Sequence, residues 1–153
     1  MLKPFRKLLL KLILEQAIIF EERAYRFYER VLERTSKDET KMLLKRLMNA
    51  ELKHRIKLEE VQKGGDLGAL RVTSDSEMDN IEAIRDEWPD IESDVTREEI
   101  LGIALAKEKT SLSFYSVLAK KARIRAAGDL FNVLSNEELQ HVKMIEEELS
   151  KNR

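Results

Sequence analysis

Moving 87 positions along this chain returns the same residue at many of the places where a fold would register a change. Ala17 maps onto Ala104, Phe27-Tyr28 onto Phe114-Tyr115, Leu47 onto Leu134, and Glu51 and His54 onto Glu138 and His141. One offset, held without gaps from residue 17 to residue 141, is the mark of an internal duplication. Two like units must therefore pack together, and what one unit buries the other buries too.

Each unit reads as a pair of helices. Five glycines and two prolines are all that punctuate 153 residues, and Leu, Glu, Lys, Ala and Arg dominate, a composition that favours long helices over sheet. Apolar periodicity predicts helices over roughly 6–34, 36–62 and 96–122, with a fourth running from a break near Ala127-Gly128-Asp129 to about Leu149. Ser36 with Glu39, and Thr96 with Glu99, have capping-box spacing and mark the second and third starts. Gly64-Gly65 stops the second helix. Short connections make antiparallel hairpins of about 6–62 and 96–149.

The crossover between them, about 63–95, carries Gly64, Gly65, Gly68 and Pro89, with a short helix expected around Glu77–Asp86. A connection of that length can traverse a bundle. The predicted fold is all-α: one domain, an antiparallel four-helix bundle of two duplicated hairpins joined by a long crossover, as in ferritin-like folds.

The informative positions are those that interrupt the apolar stripes. Helix one runs Leu14, Ala17, Ile18, Ala24, Tyr25, Tyr28, Val31, Leu32, with Glu21 in its middle. Helix two runs Leu44, Leu47, Glu51, His54, Leu58, Val61; helix three runs Leu101, Ala104, Leu105, Glu108, Leu112, Tyr115, Leu118. Helix four runs Phe131, Leu134, Glu138, His141, Ile145. Each stripe is broken at one level by acid, or by acid and imidazole, and Glu21 and Glu108 are again 87 apart.

Any one of these could be a misdrawn stripe or a hydrogen-bonded core residue. Six at matched levels ask for a common cause, because even one unpaired buried charge costs several kcal/mol. Protonation would lower that cost, and no Lys or Arg lies on these stripes at that level. Two divalent metal ions would resolve it with four carboxylates and two imidazoles, and the i, i+3 spacing lets Glu and His reach one site. Tyr28 and Tyr115 each lie two turns from a candidate ligand glutamate on the same face. Hydrogen bonding to a carboxylate, service as a redox-active phenol and plain core packing all fit them.

With 28 basic and 29 acidic side chains there is no charge imbalance that calls for nucleic acid or an anionic membrane as partner. The absence of cysteine excludes disulfides, thiolate catalysis and cysteine-held zinc, iron–sulfur or rubredoxin-type centres within these residues. The opening MLKPFRKLLLKLILEQAIIF is interrupted by Lys11 and Glu15 and lacks a small-residue cleavage site. It is read as a helix rather than a targeting or membrane segment, and a cytoplasmic location is expected. A second apolar stripe there (Leu9, Leu12, Ile13, Ile19, Phe20) is expected to pack on another subunit, giving a homodimer.

AIIFEERAYRFY at 17–28 and ALAKEKTSLSFY at 104–115, with the two Glu-x-x-His motifs, resemble the ferritin-like di-iron carboxylate proteins, most closely the rubrerythrin branch. Both stretches show Ala, then Glu four residues later, then Phe-Tyr ending seven after the Glu. The resemblance implies that Glu21, Glu51, His54, Glu108, Glu138 and His141 are ligands of two iron ions, with Glu51 and Glu138 bridging; spacing alone does not show which carboxylates bridge. It further implies redox chemistry with hydrogen peroxide or dioxygen. Manganese or zinc would accept the same donors. Rubrerythrins proper add a cysteine-held rubredoxin domain, so here electrons are expected from a separate donor protein. They also carry a further glutamate where this chain has Ser111, so the simpler six-ligand site is expected. The leading reading is a di-iron oxidoreductase. Its alternatives are a ferroxidase or iron-handling protein, a di-iron hydroxylase of an organic substrate, and a helical interaction module.

Overall fold

The computed structural model describes residues 3–63, 88, 91, 94–121 and 125–151, with 3–10 and 125–127 described by their backbone alone. Four helices carry the fold: α1 (Lys3–Arg34), α2 (Asp38–Lys63), α3 (Arg97–Lys121) and α4 (Arg125–Ser150). Pro4 sits in the first turn of α1, where a missing N–H has no partner to lose, so the helix starts a little earlier than its apolar pattern.

Local chemistry sets the ends. At α3 the capping box forms in full: Glu99 N–H donates to Thr96 Oγ1 at 3.1 Å and Thr96 N–H donates to Glu99 Oε2 at 3.4 Å. At α2 the Ser36 expectation is off by one residue. Lys37 supplies the first helical acceptor, taking the Lys41 N–H at 3.0 Å, and Asp38 and Glu39 place negative charge in the first turn. The expected break at Ala127-Gly128-Asp129 is absent, since α4 already begins at Arg125. One glycine in a first turn costs only about 1 kcal/mol of helix propensity, which the packed remainder of α4 overrides. The short helix expected around Glu77–Asp86 lies outside the described residues.

Topology follows from which side chains meet. Tyr28 reaches Glu108 while Tyr115 reaches Glu21, so α1 and α3 run antiparallel. The hairpin makes α2 antiparallel to α1, hence parallel to α3. Residues 64–96 must therefore return the length of a helix that rises about 1.5 Å per residue, which explains why this connection is long and the others short. The result is an all-α antiparallel four-helix bundle. Among the described residues, no helix is long and apolar enough to cross a membrane.

The core has two apolar halves. One gathers Ile13, Leu14, Ala17, Phe20, Leu58, Phe114, Tyr115, Leu118, Phe131 and Leu134. The other gathers Ala24, Phe27, Tyr28, Val31, Leu44, Leu47, Ile100, Leu101, Ala104 and Ile145. Ile13 and Phe20, expected on a subunit-facing stripe, belong instead to this chain's own core, and Phe20 also packs on Trp88 from the crossover at 5.7 Å between ring centroids. Of that stripe Leu12 and Ile19 stay exposed, at 43% and 40%.

Candidate metal centre

Between the two apolar halves lies one polar layer. Glu21 comes from α1, Glu51 and His54 from α2, Glu108 from α3, and Glu138 and His141 from α4, all at most 5% exposed. Each sits where its helix stripe turns inward, one helical turn separating Glu from His within α2 and within α4. All six residues singled out from the sequence are brought together.

They form two overlapping sets whose donor atoms lie within 4.8 Å of one another: Glu21, Glu51, His54 and Glu138, and Glu51, Glu108, Glu138 and His141. Glu51 and Glu138 belong to both. His54 Nδ1 lies 3.1 Å from Glu138 Oε1 and 3.6 Å from Glu21 Oε2. His141 Nδ1 lies 3.2 Å from Glu138 Oε2 and 3.3 Å from both Glu51 Oε1 and Glu108 Oε2. The two rings are nearly parallel, at 20° and 5.6 Å between centroids.

Hydrogen bonding leaves this layer incomplete. Glu21 Oε2, Glu51 Oε1, His54 Nδ1 and Glu138 Oε1 are buried without a hydrogen-bond partner, one atom from each member of the first set. An orphaned buried polar atom costs about 1–3 kcal/mol, so four converging ones amount to a place shaped for a cation. In the second set three carboxylate oxygens meet one nitrogen that has a single N–H to give. Carboxylate and imidazole donors at this density fit iron, manganese or zinc.

Protons hold the layer together when no cation does. His141 is pushed up to about 12: burial alone would lower it, but hydrogen bonds to Glu108 and Glu138 and the nearby carboxylate of Glu51 prevail. His54 is raised as well, with burial outweighed by its hydrogen bond to Glu137 and by the nearby carboxylates of Glu138 and Glu21. Burial, then the charge of Glu108, pushes Glu138 up to about 8, and burial with the charges of Glu108, Glu21 and Glu138 raises Glu51. Glu108 moves the other way, to about 2, because hydrogen bonds with Glu138 and His141 overcome its burial. Glu21 is lowered likewise through Glu51 and His54. A metal ion entering this layer must displace the protons that the imidazoles and the raised carboxyls hold.

The tyrosines hold the carboxylates of α1 and α3. Tyr28 donates to Glu108 Oε1 and Tyr115 to Glu21 Oε1, each at 2.6 Å. Each bond therefore crosses from one duplicated unit to the other and pins one oxygen, while Oε2 faces the layer. Burial, followed by the charges of Glu108 and Glu21 respectively, raises both phenols, so they stay neutral donors.

Two neighbours were not singled out from the sequence. Glu137 Oε2 lies 2.5 Å from His54 Nε2, and its carboxyl is held down at about 2 chiefly by that bond. Its only advance signal is that it breaks the repeat, since the residue 87 earlier is Ala50. Trp88 lies against Phe27 at 4.7 Å and Tyr28 at 6.4 Å, with Lys107 Nζ 5.7 Å from its ring centroid. A lone tryptophan in a crossover that a bundle must cover is a fair hint of such packing. Ser111, expected in place of a further glutamate, is buried beside Glu108 on α3.

Comparison with curated proteins gives no match. A family model for rubrerythrin, by contrast, matches residues 4–62 and 99–153, the two hairpins without the crossover. Those stretches hold every residue of the polar layer and make up more than half of the sequence, so the chain, with its ferritin-like bundle, belongs to the rubrerythrin family.

Proposed function

We propose that this chain is a di-iron carboxylate oxidoreductase that reduces hydrogen peroxide or dioxygen with electrons from a separate donor protein. The observation that carries the reading is the overlap of two four-donor sets on Glu51 and Glu138. On this reading Glu21 and His54 would hold one ion and Glu108 and His141 the other, with Glu51 and Glu138, common to both sets, available to both. When bound, the iron pair supplies two one-electron couples, enough with two protons to take peroxide to two waters.

The chain's own residues do the rest. Tyr115 and Tyr28 hold one oxygen of Glu21 and of Glu108, so each terminal carboxylate presents the other. Apolar clusters on both sides of the layer keep bulk water out. A small oxidant suits this enclosure better than an organic substrate does. Surface grooves of about 600 and 400 Å³ among the described residues are lined by none of the six. The lack of cysteine is the reason for assigning the electrons to a separate donor. Exposed Leu12 and Ile19 support a homodimer, and the cysteine-free sequence is the reason for proposing a cytoplasmic location.

Elemental analysis of untagged protein from iron-replete medium tests the centre, with close to two irons per chain expected. Anaerobic ferrous protein should then oxidise rapidly on mixing with peroxide. A folded chain that refuses ferrous iron, or whose bound iron is inert to both oxidants, would overturn the proposal.

A further inference from the structure

The duplication makes the two halves of the polar layer alike, and one contact makes them unlike. His54 Nδ1 faces Glu21 and Glu138, and its other nitrogen, Nε2, meets Glu137 Oε2 at 2.5 Å. Glu137 reaches across from α4 to α2 and is held on its far oxygen by Lys57 Nζ at 3.5 Å. The duplicate of His54 is His141, and among the described residues the three carboxylates paired with it all meet Nδ1. The duplicate of Glu137 is Ala50, which has no carboxylate to offer.

The consequence is chemical. An imidazole that binds metal through Nδ1 must keep its proton on Nε2. A carboxylate accepting that proton's hydrogen bond fixes the tautomer, stops the ring turning and makes the imidazole a stronger donor. His54 has this support; the Ala50 side chain cannot give it to His141. Resting on the metal-centre reading above, we infer that Glu137 is a positioning residue that makes the two metal positions unequal. The position formed by Glu21, Glu51, His54 and Glu138 fills first and holds its ion more tightly than its duplicate. The unequal support comes from outside the six-residue layer, from a side chain 43% exposed, so its removal leaves the core packing intact.

Cobalt(II), which avoids oxidation during handling, is the probe. It is titrated into the metal-free chain by calorimetry with visible absorption followed in parallel. The wild type should take two ions in two resolved steps; His141→Ala should keep the tighter step and His54→Ala should lose it. Glu137→Ala should weaken the tighter step about 10–100-fold, with the weaker step moving less than about threefold. Glu137→Gln, which keeps an acceptor but not the charge, should fall between. Lys57→Ala, which touches the same carboxylate without touching the imidazole, should leave both steps in place.

Two equal steps in the wild type, or an equal loss in both steps on Glu137→Ala, or no loss, would overturn this inference while leaving the metal centre standing. Failure of the wild-type chain to bind cobalt at all would remove the metal centre and the inference with it.

Discussion

At the scale of single residues, the centre depends on who holds the carboxylates. Tyr115 donates a hydrogen bond from its hydroxyl to Glu21 Oε1 in a fully buried setting, and Tyr28 does the same for Glu108. Removing the hydroxyl leaves an oxygen that has no access to water. Tyr115→Phe is therefore expected to destabilise the metal-free chain by about 1–3 kcal/mol in chemical denaturation, and Tyr28→Phe similarly. A change within about 0.5 kcal/mol for both would mean that the phenols only fill space. The sequence placed both tyrosines on the correct face and two turns from a glutamate, but their partners are exchanged between the repeats. Only the antiparallel approach of α1 and α3 decides that exchange.

At the scale of helices, start signals were legible where a cap is reciprocal and misread where it is not. Thr96 and Glu99 bond one another's backbone N–H, and Ile100 N–H completes the turn on Thr96 O at 3.0 Å. Ser36 and Glu39 share the same spacing, yet the first helical acceptor is Lys37. Thr96→Ala should thus cost about 0.5–2 kcal/mol, as the loss of a working cap does, whereas Ser36→Ala should stay within about 0.5 kcal/mol. Thermal unfolding of the two variants side by side checks this, and equal losses would contradict the assignment of the α2 cap. The same caution applies to Gly128: a glycine near a helix start reads as a break in sequence, yet the chain continues through it as helix.

At the scale of the whole molecule, three helices are tied at one end through a single carboxylate. Glu148 of α4 takes Arg97 Nη2 of α3 at 2.9 Å and Thr40 Oγ1 of α2 at 3.1 Å, with Lys151 Nζ at 3.2 Å. Burial would raise its pKa, but these donors outweigh burial and hold it below the ordinary 4.5. A carboxyl depressed in the folded state adds stability that is complete above its unfolded value and fades as pH falls through its folded one. The wild type should therefore lose stability relative to Glu148→Gln as the pH is taken below about 4.5, with the gap steady at neutral pH. Denaturant midpoints measured for both chains from pH 7 downward read this directly, and parallel curves would show that the tie carries no charge-dependent stability.

Much of this protein was settled by sequence alone. Period, composition and an offset of 87 residues specify four helices in two like hairpins, and they set Glu21, Glu51, His54, Glu108, Glu138 and His141 at one level of the core. Those are properties of spacing along a helix, which a linear pattern records faithfully. Tertiary structure decided what spacing cannot carry. It made Glu51 and Glu138 the pair common to both donor sets, drew Ile13 into the core and Phe20 against Trp88, and gave His54 a carboxylate that Ala50 cannot give His141. Each of those outcomes depends on how far apart two helices stand and how they are rotated toward one another, and that distance and rotation exist only once the helices have packed.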